Sequence, residues 1–164
     1  MKQKILFNEV VTRDGFQMEP EFVPTDTKVA LINALSQCGY AKIEVTSFTS
    51  PKAIPSLADA EEVLARIERV PGVEYTALVP NVRGARRALM TRLDEFNLVM
   101  SSSETHGLAN LRMTPEQSLE QFRDKPVTGS RVVLLVSDGA AALVVAGNKN
   151  IGWGGWTTGL RLWQ

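Results

Sequence analysis

The sequence predicts an α/β fold built on a parallel sheet, about four to five βα units long. Three observations carry this. Apolar runs of strand length alternate with stretches of helical period through the first three quarters of the chain. The runs are too apolar to leave one sheet face in water, which fits strands covered by helices. Each unit takes roughly 30 residues, so four units reach to about Phe122. With 164 residues the chain holds only part of a closed (β/α)8 barrel, which takes ~200–250 residues.

The elements follow in order. Lys4–Val11 is rich in Ile, Leu, Phe and Val and reads as a buried strand, ended by the turn residues Thr12-Arg13-Asp14-Gly15. Thr25 or Asp26 is placed to cap a helix carrying Val29, Ile32 and Leu35, and Gly39 stands where a helix C′ glycine belongs. Ala41–Phe48 is the second strand. A helix from Ser56 puts Ala60, Val63, Leu64 and Ile67 on one face and stops at Pro71-Gly72. Tyr75–Val79 is the third strand, Val82–Leu93 a helix, and Glu95–Met100 the fourth strand. Thr114-Pro115-Glu116-Gln117 is a capping box with proline at the first helical position, opening a helix to about Phe122.

Residues 123–164 differ in composition from residues 1–122. Seven of the 12 glycines and all three tryptophans (Trp153, Trp156, Trp163) fall after residue 128, with only four charged side chains, so the segment reads as a divergent, irregular C-terminal tail. One further strand is expected at 131–136. Trp and Leu in so uncharged a segment need packing or a ligand to leave water.

Composition excludes several function classes. Lys and Arg balance Asp and Glu at 18 each, without the basic excess of a nucleic-acid binder. No apolar stretch reaches the ~18–20 residues of a membrane helix, and the first residues show no leader-like apolar core. The single cysteine, Cys38, makes no internal disulfide and reads as a small packed residue at a helix end. The expected compartment is the cytoplasm.

Chemistry in parallel α/β folds gathers at the C-terminal ends of strands. Three polar clusters fall there: Arg13-Asp14-Gly15-Phe16-Gln17, Glu44-Val45-Thr46-Ser47-Phe48, and Ser101-Ser102-Ser103-Glu104 with His106 and Asn110. Asp14 offers hard oxygen for Mg²⁺ or Mn²⁺. Arg13 offers a fork of donors for a carboxylate or an oxyanion. Glu44 in a buried strand is an expensive charge unless paired, and Arg13 is the evident partner. From the residues alone, Arg13-Asp14 reads equally as a turn with an ion pair, and Glu44 as its structural partner. The serine run reads as a solvated loop or capping segment, and His106 as a surface loop residue.

Taken together, these clusters resemble the hydroxymethylglutaryl-CoA lyase family, metal-dependent (β/α)8 barrels of the DRE-TIM metallolyase group. Asn8–Gln17, Ile43–Lys52, Leu78-Val79-Pro80-Asn81 with Gly84, and Ser101–Glu104 with Asn110 match the N-terminal half of such a barrel, in order and at family spacing. The resemblance implies a partial (β/α)8 TIM barrel over residues 1–122. It implies cleavage of 3-hydroxy-3-methylglutaryl-CoA to acetyl-CoA and acetoacetate, in leucine degradation and ketone-body formation, with a divalent metal and an acyl-CoA substrate. By the same carry-over Asp14 is a metal ligand and Arg13 neutralises charge on the substrate carbonyl. Glu44 holds Arg13, while Gln17, Ser103 and Asn110 line the substrate.

The family's His-x-His pair and Asn, which complete its metal site, and its Gly-rich loop with a catalytic Cys have no counterpart in this sequence. Its one His is His106, and Cys38 lies on a different helix. Met18 and Pro20 replace the polar and basic residues usual after the Gln. The expectation is therefore a truncated lyase-like protein with little or no activity alone. The alternative is a non-catalytic half-barrel remnant, or a binding and assembly module that self-associates through open sheet edges.

Overall fold

The computed structural model describes residues 6–123, 131–137, 142–147 and 161–162. Five parallel strands lie side by side in chain order: β1 (Asn8–Glu9), β2 (Lys42–Ser47), β3 (Glu74–Leu78), β4 (Glu95–Ser101) and β5 (Arg131–Ser137). The helices are α1 (Phe16–Met18), α2 (Thr25–Ser36), α3 (Ala60–Arg66), α4 (Val82–Ala88), α5 (Glu104–Asn110) and α6 (Pro115–Arg123). This sequential parallel order is that of an opened barrel. A doubly wound sheet would reverse its order at a switch point. No helix among the described residues is long and apolar enough to cross a membrane.

The strands alternate, and the alternation divides the sheet's labour. Ile43 and Val45, Tyr75 and Ala77, and Phe96 and Leu98 are buried in one cluster with Ile32 of α2, Val63 and Leu64 of α3, and Ala85 and Ala88 of α4. Tyr75 is fully buried, and its hydroxyl bonds Ser36 Oγ at 2.9 Å and accepts the Val70 N–H at 2.9 Å, so its polar tip is satisfied. The intervening positions are polar. Lys42 Nζ reaches across β3 to both oxygens of Glu95, at 2.6 and 2.7 Å, and lies 3.6 Å from Glu74. Glu44, Thr76 and Asn97 continue this polar side. The sequence reading expected two apolar faces; the second is buried at its centre but built from paired charges.

Punctuation falls where the turn residues put it. Gly39 and Gly72 take φ of 82° and 91°, left-handed conformations that a side chain would strain, after α2 and before β3. Thr114 Oγ1 accepts the Gln117 N–H and Gln117 Oε1 accepts the Thr114 N–H, at 3.3 and 3.0 Å, completing the capping box of α6.

Several boundaries differ from the sequence reading. Of the expected strand Lys4–Val11, only Asn8–Glu9 pairs with β2, and Lys4 and Ile5 lie outside the described residues. Glu9 Oε1 accepts the N–H groups of Val10 and Val11, both at 2.8 Å, and turns the chain into a single wide helical turn over Val11–Gly15. Val10 and Val11 are therefore exposed. Neither Thr25 nor Asp26 caps α2. Thr25 Oγ1 donates to Asp59 Oδ2 at 2.8 Å and Asp26 pairs with Arg66. The helix expected from Ser56 is a short turn at Pro55–Leu57 followed by α3.

The helix expected over Val82–Leu93 stops at Ala88, where Thr91 Oγ1 donates to the Ala88 carbonyl at 2.6 Å. His106, read as a loop residue, is in α5. Cys38 is exposed in the turn after α2, its Sγ 3.4 Å from the Ala34 carbonyl, and is not packed. β6 (Ala142–Gly147) and β7 (Arg161–Leu162) extend the sheet antiparallel beyond β5. The Ala- and Val-rich run of β6 carries no period that separates strand from helix. Residues 148–159, expected to be irregular, and the three tryptophans lie outside the described residues.

On the helical side, Arg87 of α4 binds Glu61 of α3 through Nε and Nη2, at 2.6 and 2.7 Å. These bonds hold the Glu61 carboxyl below its ordinary range. A carboxyl whose folded pKa is depressed stabilises the fold fully above its unfolded value of ~4.3, and loses that contribution as pH falls through the folded value. Urea unfolding of the wild type and Arg87→Met between pH 2 and 6 should show the variant's deficit shrinking only below about pH 4. A deficit independent of pH would assign Arg87 a packing role alone.

Candidate active site

The turn after β1 places Arg13 over the polar side of β2. Thr12, almost fully buried, anchors it by donating from Oγ1 to the Glu44 carbonyl at 2.9 Å. Arg13 Nη2 then meets Glu44 Oε2 at 3.1 Å and Nη1 meets Asp14 Oδ1 at 2.6 Å. The Glu44 side chain is 6% exposed, that of Arg13 18% and that of Asp14 63%, so the cluster grades from buried anchor to open mouth. The other oxygen of Glu44 accepts from Asn97 Nδ2 at 3.2 Å, and the same nitrogen lies 3.3 Å from Thr76 Oγ1. Arg13 Nε is buried, and among the described residues that guanidinium N–H has no acceptor.

The structure thus joins three of the six expected site residues. Arg13 and Asp14 come from one turn, and Glu44 from the neighbouring strand, 31 positions along the chain from Arg13. Gln17, in α1, instead lines a cavity of about 320 Å³ with Pro20, Phe22 and Ser56. Ser103 caps α5, its Oγ accepting the His106 N–H at 3.3 Å. Asn110 ends α5, and its side chain lies outside the described set. Asn97 and Thr76 were missed. Their signal was the polar spacing Glu95, Asn97 between the apolar Phe96 and Leu98, which marks one sheet face. His106 Nδ1 lies 3.0 Å from Ser101 Oγ, tying α5 back to the end of β4.

A divalent ion of the Mg²⁺ type needs near-octahedral oxygen ligation. Asp14 brings one carboxylate, already engaged by Arg13, and among the described residues no group of three or more His, Cys, Asp or Glu side chains is arranged to hold a metal. The described residues therefore do not by themselves fit a catalytic metal site.

The HMGL-like family profile matches residues 4–128. The chain belongs to the HMGL-like family. It is 45% identical over 117 residues to the hydroxymethylglutaryl-CoA lyase YngG of Bacillus subtilis, covering 71% of this chain and 39% of that protein. It is 39% identical over 122 residues to the mitochondrial hydroxymethylglutaryl-CoA lyase of Gallus gallus, covering 74% and 41%. The cytoplasmic 3-hydroxy-3-methylglutaryl-CoA lyase of Mus musculus is 41% identical over 116 residues, covering 71% and 34%. An HMG-CoA lyase from A. baumannii, solved in complex with coenzyme A and 3-methylmalate, superposes with a TM-score of 0.71 at 51% identity, over 73% of this chain and 39% of that one. The chain therefore spans about a third to two fifths of the length of these relatives.

If Glu44 is the anchor of this cluster, removing it should cost more than removing the exposed Asp14. Glu44→Ala should lose about 3 kcal/mol, the low end for breaking a buried pair, because Arg13 keeps Asp14 and some water. Asn97→Ala should lose about 1–3 kcal/mol, and the double variant less than the sum. Asp14→Ala should stay within about 0.5 kcal/mol of wild type. Denaturant unfolding measures all four, and equal losses at Glu44 and Asp14 would contradict the assignment.

Proposed function

We infer that this chain carries the electrophilic part of an acyl-CoA carbon–carbon lyase site of the 3-hydroxy-3-methylglutaryl-CoA type. The observation that carries the reading is Arg13, fixed by Glu44 and Asp14 at the C-terminal end of β1, in a chain of the HMGL-like family. In such a cleavage the tertiary hydroxyl loses its proton and the C2–C3 bond breaks. The electron pair moves to the thioester carbonyl as an enolate, and acetoacetate leaves. The enolate then takes a proton to give acetyl-CoA. The guanidinium supplies donors where that negative charge develops.

Glu44 acts through Arg13 as a positioning residue, keeping the fork aimed and neutralising its charge in the ground state. Asn97 and Thr76 hold Glu44. Asp14 is the carboxylate we assign to the divalent metal that the family implies, with the other ligands from outside the described residues. Gln17, Ser103 and Asn110 are assigned to the substrate's surroundings, and the setting to the cytoplasm and leucine degradation. With one metal-binding carboxylate in the described part, the chain alone should bind substrate and turn it over at no more than a trace.

Calorimetry and a coupled acetoacetate assay on the purified chain, with Mg²⁺ or Mn²⁺, test this. Saturable binding of 3-hydroxy-3-methylglutaryl-CoA is expected, weakened about tenfold or more in Arg13→Met through loss of a charged hydrogen-bonding partner. Binding indifferent to Arg13 would sink the assignment, and rapid metal-dependent turnover would sink the claim of near-inactivity.

A second reading, assembly through an open sheet edge, is favoured by one observation. Leu6, Phe7, Val10 and Val11, on and beside the edge strand β1, are 54%, 69%, 42% and 41% exposed, an apolar border of the kind that recruits another chain. Sedimentation should show concentration-dependent association of the purified chain that Phe7→Lys reduces. A monomer at all concentrations would contradict it.

A further inference from the structure

β2 changes its alternation just past Glu44. Ile43 and Val45 face the helices, so a regular strand would send Ser47 there too. The pairing with β3 slips instead. Glu44 stands opposite Thr76 and Thr46 opposite Ala77, two residues of β2 gained against one of β3. Such a bulge re-aims the side chains that follow it. Thr46 joins the side of the core residue Ala77, and Ser47 stands opposite Leu78, two positions beyond Thr76. Ser47 therefore takes the side of Glu44, Thr76 and Asn97, and Phe48 returns to the core.

The Ser47 hydroxyl is committed to one partner. Ser47 is 1% exposed, and its Oγ accepts the Thr49 N–H at 3.1 Å and lies 2.6 Å from Thr49 Oγ1. Shut off from water, its proton has Thr49 Oγ1 as its acceptor. The Thr49 hydroxyl then receives one hydrogen bond and directs its own proton away from Ser47. Thr49 is only half-buried, and its carbonyl is held from the helical side by Arg87 Nη1 at 3.3 Å. The next residues, Ser50 and Lys52, line a cavity against α4, while Thr49 turns its hydroxyl back onto Ser47. The bulge thus makes two hydroxyls into one directed donor. It stands about 10 Å along β2 from the carboxylate that fixes Arg13.

We propose that the Thr49 hydroxyl donates to the free carboxylate of the acyl chain whose thioester meets Arg13, with Ser47 as the residue that positions it. The proposal rests on the lyase reading above and adds the group that recognises the far end of the acyl chain. The substrate's own chemistry selects the acceptor. Arg13 takes the thioester carbonyl. The tertiary hydroxyl must give up its proton before the C2–C3 bond breaks, so it needs an acceptor, and a donor opposes it. The ionised carboxylate only accepts, and it is the remaining group that a fixed O–H suits. A site built to donate to an oxygen also rejects the analogue that lacks it.

Calorimetry on the full chain tests this with 3-hydroxy-3-methylglutaryl-CoA and with 3-hydroxy-3-methylbutyryl-CoA, which lacks the carboxylate. The wild type should bind the second about tenfold more weakly, the scale of a hydrogen bond to a charged group, a comparison that needs no variant. Thr49→Val should weaken 3-hydroxy-3-methylglutaryl-CoA about tenfold and leave the butyryl thioester unchanged. Thr49→Ser, which keeps the hydroxyl, should restore most of the loss. Ser47→Ala, which lets the Thr49 hydroxyl turn, should fall between wild type and Thr49→Val. Arg13→Met should weaken both thioesters. Binding of the glutaryl thioester that answers to Arg13 but not to Thr49, or a Thr49→Val loss equal for the two thioesters, would overturn this proposal and leave the lyase reading standing. Both thioesters bound alike by every variant, Arg13→Met included, would overturn the proposal and the lyase reading together.

Discussion

The buried carboxylate of Glu44 is the constraint on which the rest of the site depends. It sits on a central strand whose neighbours Ile43 and Val45 are locked into the helix-covered core, so it cannot turn away toward water. Burying an ion costs several kcal/mol unless its lone pairs are met. Arg13 and Asn97 meet them, one at each oxygen. Arg13 is therefore placed by the strand and not by its own turn, and Asp14 is placed by Arg13. Thr12 closes the arrangement by bonding the Glu44 backbone. A turn that would otherwise hang from a two-residue strand becomes a fixed wall of the site.

The same period-two alternation that builds the core builds the site. Odd positions of β2 and β3 and even positions of β4 pack under the helices, while Lys42, Glu44, Thr76, Glu95 and Asn97 face the other way. In a closed barrel that other side would be the interior. Lys42 pairs with Glu95 across the strands and Glu44 with Arg13 of the turn after β1, so this part of an HMGL-like barrel carries its own interior layer. The two loops that leave β2 and β3 then meet where Gly84 approaches Phe48.

Local chemistry decided what could be read from the sequence. The βα order was legible because apolar period and turn glycines act within a few residues, as at Gly39, Gly72 and the Thr114 capping box. The link between Arg13 and Glu44 was legible because a buried carboxylate demands a cation and the chain offers one at a matching strand end. What escaped depended on choices between partners. Glu9 could have stayed in a strand; its carboxylate instead bonds two backbone N–H groups and ends β1 early. Of the two readings the serine run offered, a solvated loop or a capping segment, Ser103 takes the second, its hydroxyl capping α5. Asn97 was hidden because a lone amide in an apolar strand reveals its role only when Glu44, two strands away, is seen beneath it.

The central claim is that the described residues form a working part of a lyase site. It is tested most directly by placing residues 4–123 of this chain into the Bacillus subtilis lyase in place of its matching segment and measuring 3-hydroxy-3-methylglutaryl-CoA cleavage with Mg²⁺. The account predicts a folded chimera that cleaves the substrate and loses at least about a hundredfold in kcat when Arg13 becomes Met, the scale of removing a donor at a developing oxyanion. A folded chimera that binds its metal yet cleaves nothing, or one whose rate ignores Arg13, would contradict it.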